Sequence, residues 1–154
     1  MTTPDIDPRL LATQVTASML ARDTASQGLG VAIESADAGR VVIAMTVQDT
    51  MLNGHGTCHG GFLFAFADSA FAFACNSRNR KTVAGACQID YLRPALAGDR
   101  LQAHAQEVSL GGRLGVYDVV VRNQREEIVA LFRGRSVRIE GEVLPAATAT
   151  VEPP

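Results

Sequence analysis

The chain is expected to fold as an α+β domain, an antiparallel sheet packed on one long central helix, with an extra helix ahead of it. Three observations carry this expectation. Residues 61–77 form a mostly apolar run of helical length in which Asp68 is the only charged residue. Two strand-like segments precede that run and four follow it, rich in Val and Ile and partly alternating with polar residues. Short, turn-like links join most of these segments, which favours antiparallel over parallel pairing.

Taken in order, residues 8–22 place Leu11, Val15 and Met19 at helical spacing, with Asp7 as N-cap and Pro8 in the first turn. Gly28 and Gly30 end that segment. Strands are expected at 31–35 and 40–47, joined by a hairpin turn at 36–39. Residues 49–61 read as loop, with Asn53-Gly54 as the sharpest turn signal. After the apolar helix, the polar cluster 76–81 marks its exit. Strands follow at 82–92, ending before Pro94, and at 99–108, where Leu101, Ala103 and Ala105 alternate with Gln102, His104 and Gln106. A hairpin loop at 109–112 leads to strand 115–122, a turn at 123–126 and a last strand at 128–139. The division is one domain, 1–140, whose first 27 residues are a helical extension, then an Ala-, Thr- and Pro-rich tail, 141–154, expected to be disordered. A central helix apolar all round must be wrapped by the sheet, covered by another subunit, or both.

At 154 residues and a net charge of −2, the chain has no basic block and no Trp, which argues against nucleic acid as a partner. Scattered arginines (Arg78, Arg80, Arg93, Arg133, Arg135) still suit a phosphorylated small molecule. No apolar stretch reaches the ~20 residues of a membrane span, and the N-terminus lacks the basic-then-apolar order of a signal peptide, so a cytoplasmic protein is expected. Cys58, Cys75 and Cys87 are odd in number, sit in apolar surroundings and form no C-x-x-C pair, so reduced thiols are expected. His55, Cys58 and His59 lack the regular ligand spacing of a metal site, and no metal is expected.

Chemistry concentrates between residues 53 and 68. A carboxylate buried without partners costs several kcal/mol or takes up a proton. Just upstream of Asp68's helix, Gly60-Gly61 falls where the helix should begin, and N–H groups at a helix start attract negative charge. Held there, a carbonyl would become more electrophilic, and Asp68 could attack it or activate water. Asn53 is a further amide near the glycines, and His59 could orient the loop or meet a leaving group. Each has a plainer reading as well: an Asp bonded to a neighbouring hydroxyl, a tight loop-to-helix turn, a turn dipeptide, a structural His. Spacing adds one constraint. Asp68 lies eight residues after Gly60, about 12 Å along the axis, too far for both to act on one carbonyl from one chain. Two such helices packed antiparallel would bring each N-terminus to the other's Asp68, so a symmetric dimer would hold two composite sites.

The stretches 51–61 and 63–77, together with Ile89-Asp-Tyr-Leu-Arg-Pro94, 97–99, 115–118 and 129–134, resemble the hotdog-fold thioesterases, and most closely the PaaI subgroup of phenylacetic acid degradation. The resemblance spans roughly residues 48–140. It implies the hotdog fold, a sheet wrapped around the long helix, in homodimers that commonly pair into homotetramers. It implies hydrolysis of an acyl-coenzyme A thioester to free acid and coenzyme A, with no cofactor. By position, Asp68 resembles the nucleophile or general base and Gly60 the backbone donor, from opposite subunits, supported by Asn53 and His59. For coenzyme A, the resemblance points to Gly61, Arg93, Gly111, Gly112, Arg133 and Gly134. Aromatic acyl groups, phenylacetyl or hydroxyphenylacetyl, are the expected substrates, with the Phe-rich helix as a candidate wall. The chain departs from some relatives at Gly85-Ala86-Cys87, where they carry a Ser or Thr. An acyl-CoA dehydratase fits less well, since this helix has no His. A non-catalytic acyl-CoA binding or regulatory protein is the alternative, against which a buried Asp68 argues.

Overall fold

Alternation along the strands sorts the sheet into two faces. Val41, Ile43 and Met45, then Leu101, Ala103 and Ala105, then Tyr117, Val119 and Val121 are all buried, and their strand neighbours, Ala44 excepted, are more exposed. The computed structural model describes residues 6–145. Its elements are α1 (Pro8–Arg22), α2 (Thr24–Gly28), β1 (Ala32–Asp37), β2 (Arg40–Thr46), α3 (Gly60–Asn76), β3 (Thr82–Tyr91), β4 (Arg100–Gly111), β5 (Leu114–Arg122) and β6 (Ile128–Arg138). The six strands form one sheet in the order β1-β2-β4-β5-β6-β3, every pair antiparallel.

Helix α3 lies along the inner face and packs against β2 through β6. Its Phe66, Ala67, Ala70, Phe73 and Ala74 are fully buried. The helix presses closely on the sheet at one point: a Cβ at Gly134 of β6 would stand 2.7 Å from the Phe71 ring. Only the face bearing Gly61, Ala65, Asp68 and Ala72 stays partly open, a helical i, i+4, i+7, i+11 stripe.

The two sheet edges differ. Helix α1 packs on β1, burying Ala12, Val15 and Thr16. At the opposite edge, seven of the ten residues of β3 are exposed. A flat edge of that length presents a row of unpaired backbone groups.

Three local features differ from the expectation. Residues 24–28 form a short helix, α2, capped by Asp23. Residues 49–51 make a 3-10 turn within the expected loop. The loop expected at 109–112 is mostly strand: β4 runs to Gly111 after a bulge between Glu107 and Ser109, and a two-residue turn follows with Gly112 at φ +58. Of the expected tail, 146–154 lies outside the described residues. Residues 141–145 return to the exit of α3, where Lys81 N–H donates to the Gly141 carbonyl (3.1 Å) and Leu144 N–H to Asn79 Oδ1 (2.7 Å).

Candidate active site

The start of α3 is held from both sides. Cys58 N–H donates to the Ala95 carbonyl and His59 N–H to the Met51 carbonyl, each at 2.8 Å. His59 is the N-cap: its Nδ1 accepts from Gly61 N–H at 2.9 Å, and its carbonyl accepts from Phe62 and Leu63. These bonds satisfy the first-turn donors on either side of Gly60. Gly60 N–H, at the first helical position, has no acceptor among the described residues. Gly60 lines an open depression of about 370 Å3 together with Asn53, Thr57, Tyr91, Arg93 and Pro94.

Asn53 shapes the rim of this depression. Its Oδ1 accepts from the N–H groups of His55 (2.9 Å) and Thr57 (3.2 Å), which closes the 53–57 loop. Tyr91 is a neighbour that sequence reasoning passed over. Its hydroxyl donates to the Gly60 carbonyl at 2.8 Å, and its ring lies where a Cβ on Gly60 would point, 3.0 Å away. The only signal for it was an aromatic residue ending the strand before Pro94.

Asp68 lies two turns along α3, half-buried, and makes no ion pair among the described residues. The Cys87 thiol of β3 donates to Asp68 Oδ1 over 3.9 Å. Burial raises the Asp68 pKa above the usual carboxylate value; the Cys87 hydrogen bond works against this, and the charge of Asp23 adds to it. Burial also pushes the Cys75 thiol up to about 12 and Cys87 to about 11. Both stay protonated near neutrality, so neither is a thiolate nucleophile. Asp68 is thus the one group in this apolar stretch able to carry reactive negative charge.

The residues expected to meet coenzyme A fall in separate places. Arg93 lines the Gly60 depression and donates to the Ile128 carbonyl at 3.2 Å. Gly61 spends its N–H on His59. Arg133 is on the outer sheet face, held by both Asp118 oxygens at 2.6 and 2.7 Å. Gly134 is buried beneath Phe71, where only a glycine fits without displacement. Gly111 and Gly112 sit at the β4–β5 turn, and Gly112 shares a cleft with Arg78, Arg80, Arg113 and Arg138. Arg78 in that cleft is ion-paired with Glu107. Arg80, Arg113 and Arg138 have no acidic partner among the described residues. This cationic cluster went unnoticed in the sequence because its members come from three separate segments. Among the described residues, no group of three or more His, Cys, Asp or Glu side chains could hold a metal ion. No helix there is long and apolar enough to cross a membrane.

Residues 55–130 match the family model described as the thioesterase superfamily. The acyl-coenzyme A thioesterase PaaI of Escherichia coli is 52% identical over 126 residues, covering 82% of this chain and 90% of that protein. The structure of E. coli PaaI superposes with a TM-score of 0.87 at 49% identity, covering 88% of this chain and 99% of the other. A variant of the phenylacetic acid degradation protein PaaI from Thermus thermophilus gives 0.73 at 44% identity over 76% of this chain and all of that one. A thioesterase from Streptococcus pneumoniae, solved with coenzyme A, gives 0.70 at 27% identity over 73% of this chain and 90% of that one.

Proposed function

Because this chain belongs to the thioesterase superfamily, and its described residues share the hotdog fold of E. coli PaaI, we propose that Asp68 and Gly60 of opposite subunits form its acyl-CoA hydrolysing site. The chain is an acyl-CoA thioesterase of the PaaI type, acting on aromatic acyl-CoA thioesters of phenylacetic acid degradation. The observation that carries the composite site is a half-buried, unpaired Asp68 beside a bare β3 edge, on the same helix as an unsatisfied Gly60 N–H.

Strand and helix support the pairing with matched spacings. β3 runs back along α3, with Tyr91 against Gly60 and Cys87 against Asp68. Four strand residues span about 13 Å and eight helix residues about 12 Å. Two β3 edges paired antiparallel about a point between Cys87 and Tyr91 therefore set each Gly60 towards the other subunit's Asp68.

In such a site the Gly60 N–H and the positive end of the α3 dipole take up charge as the thioester carbonyl becomes tetrahedral. By one route Asp68 attacks the carbonyl carbon, coenzyme A leaves as thiolate, and water cleaves the mixed anhydride. By the other, Asp68 takes a proton from water, the hydroxide adds, and the C–S bond breaks. Both consume one water and yield acid and thiol. Single turnover in oxygen-18 water separates them, since only the first can leave label in Asp68. The nucleotide phosphates of coenzyme A would meet the surface arginines Arg80, Arg113 and Arg138 at the β4–β5 turn, because planar guanidinium groups suit phosphate.

The test is a mixed dimer of one Asp68→Ala subunit and one Gly60→Pro subunit, assayed with phenylacetyl-CoA. A composite arrangement leaves one site intact, so turnover near half that of wild type is expected from a pair of individually inactive parents. Failure to recover activity would sink the shared site. Sedimentation of the wild-type protein reads the assembly, a dimer at least and a homotetramer where dimers pair.

A further inference from the structure

The N-terminal extension reaches the reaction site through one hydrogen-bonded line. Asp23 sits at the junction of α1 and α2; its N–H donates to the Leu20 carbonyl, and its Oδ1 accepts from Ser26 N–H at 2.9 Å. Ser26 is fully buried. Its hydroxyl donates to Asp23 Oδ2 at 2.5 Å and lies 2.8 Å from the Ser69 hydroxyl on α3. With the Ser26 proton directed to the carboxylate, Ser69 is the donor to Ser26. That one hydroxyl proton is shared, since the Ala65 carbonyl also lies 3.0 Å from Ser69 Oγ; Ser69 is the residue next to Asp68.

We propose that this junction is a working part of the site: Asp23, docked through Ser26 and Ser69, is a positioning residue that holds a second negative charge beside Asp68. The inference rests on Asp68 being the reactive carboxylate, as argued above. Capping alone does not require the charge, since Asn or Ser caps a helix about as well as Asp. Asp23 has no ion pair among the described residues; its carboxylate is held by Ser26 alone. The groups acting on Asp68 are the Cys87 thiol from β3, Asp23 from the α1–α2 junction, and the low-dielectric surroundings; the Cys75 thiol lies near enough on α3 to feel the Asp68 charge. Both thiols are neutral near pH 7, which leaves Asp23 as the charged group acting on Asp68 among the described residues. A like charge disfavours ionisation, so Asp23 keeps Asp68 more basic, and a stronger base or nucleophile once ionised.

The test uses Asp23→Asn and Asp23→Ser, which keep an N-cap, with Asp7→Asn as control at the far end of α1. Two midpoints are measured in the full-length enzyme: the acid limb of kcat/KM for phenylacetyl-CoA, and the carbon-13 titration of the Asp68 carboxyl without substrate. Both midpoints should move to lower pH in the two Asp23 variants and stay put in Asp7→Asn. An unmoved carboxyl titration overturns the proposal. So does a moved titration with an unmoved acid limb in an enzyme that Asp68→Asn silences. If Asp68→Asn is itself fully active, the catalytic reading of Asp68 has failed instead, and the titration alone still reports the coupling to Asp23.

Discussion

Replacing Gly60 by proline removes one hydrogen-bond donor and little else, so it isolates the electrostatic half of the site. Gly60 is the first residue of α3, where proline is well tolerated because its missing N–H has no helical acceptor to lose. His59 before it already has φ −60 and ψ 134, the extended conformation that a following proline demands. The new ring does meet Tyr91, whose atoms lie 3.0–3.3 Å from an added Cβ; half-exposed, Tyr91 can swing outward. The swing gives up the Tyr91 bond to the Gly60 carbonyl, about 1 kcal/mol. Stiffening the unfolded chain returns about 0.4–1 kcal/mol, so stability should change by less than about 1 kcal/mol. Catalysis should not be spared. Loss of an oxyanion donor costs about 2.7–4 kcal/mol, or about 10²–10³ in kcat. Gly60→Ala is the reference, since it keeps the N–H and carries the same Cβ against Tyr91. Turnover is followed by loss of the thioester ultraviolet absorbance and stability by thermal circular dichroism. A folded Gly60→Pro enzyme with the kcat of Gly60→Ala would refute the donor role.

Three other substitutions probe different links. Cys87→Ala removes the side-chain hydrogen bond that lowers the Asp68 pKa, so the acid limb of the rate profile should move to higher pH, opposite to the Asp23 variants; an unmoved limb would show the thiol to be mere packing. Gly134→Ala drives a methyl to 2.7 Å from the Phe71 ring and should destabilise the fold by about 1–3 kcal/mol in urea unfolding, with a folded variant that still turns over. Asp68→Asn should abolish turnover and raise the melting temperature at neutral pH. The sign follows from the raised pKa of Asp68 in the folded state. Its contribution is fully present below the unfolded pKa and lost as pH rises through the folded one, so the gain over wild type should vanish in acid.

Most of the fold was legible because its signals are local. The 61–77 run could bury only as a central helix, and the alternation at 99–108 placed Leu101, Ala103 and Ala105 inward, as observed. The candidate site's geometry was legible where the chain is continuous: Asn53, His59, Gly60 and Asp68 fall within sixteen residues and three of them shape one helix start or its loop. What stayed hidden depends on separated segments. Tyr91 reaches Gly60 across 31 positions, and Ser26 meets Ser69 across 43. The cleft around Gly112 joins arginines from the α3 exit, the β4–β5 turn and the end of β6. Gly134 was assigned to coenzyme A by position, whereas its neighbour in space is a phenylalanine ring. Spacing in sequence measures distance along one helix or strand, but it carries no information about which elements the sheet brings side by side.

Three features of the single chain are each unfavourable alone. Among the described residues Asp68 is a half-buried carboxylate without a cation, Gly60 N–H has no acceptor, and seven of the ten residues of the β3 edge are exposed. A structural element selected only for stability would remove all three: Asn for Asp68, a capped helix start, a charged or shortened edge strand. They share one region of the surface, because β3 lies directly along the open stripe of α3. One event, pairing of two β3 edges, would satisfy the edge, cover the stripe and set each unsatisfied donor towards the other chain's unpaired acid. Even then the N–H and the carboxylate would not bond to each other's full satisfaction, since a carbonyl must fit between them. The remaining deficit is what a thioester in its tetrahedral state would fill, an oxyanion on the donor and a reacting carbon at the acid. On this proposal dimerisation would complete the fold and leave unsatisfied only the two groups that the transition state requires.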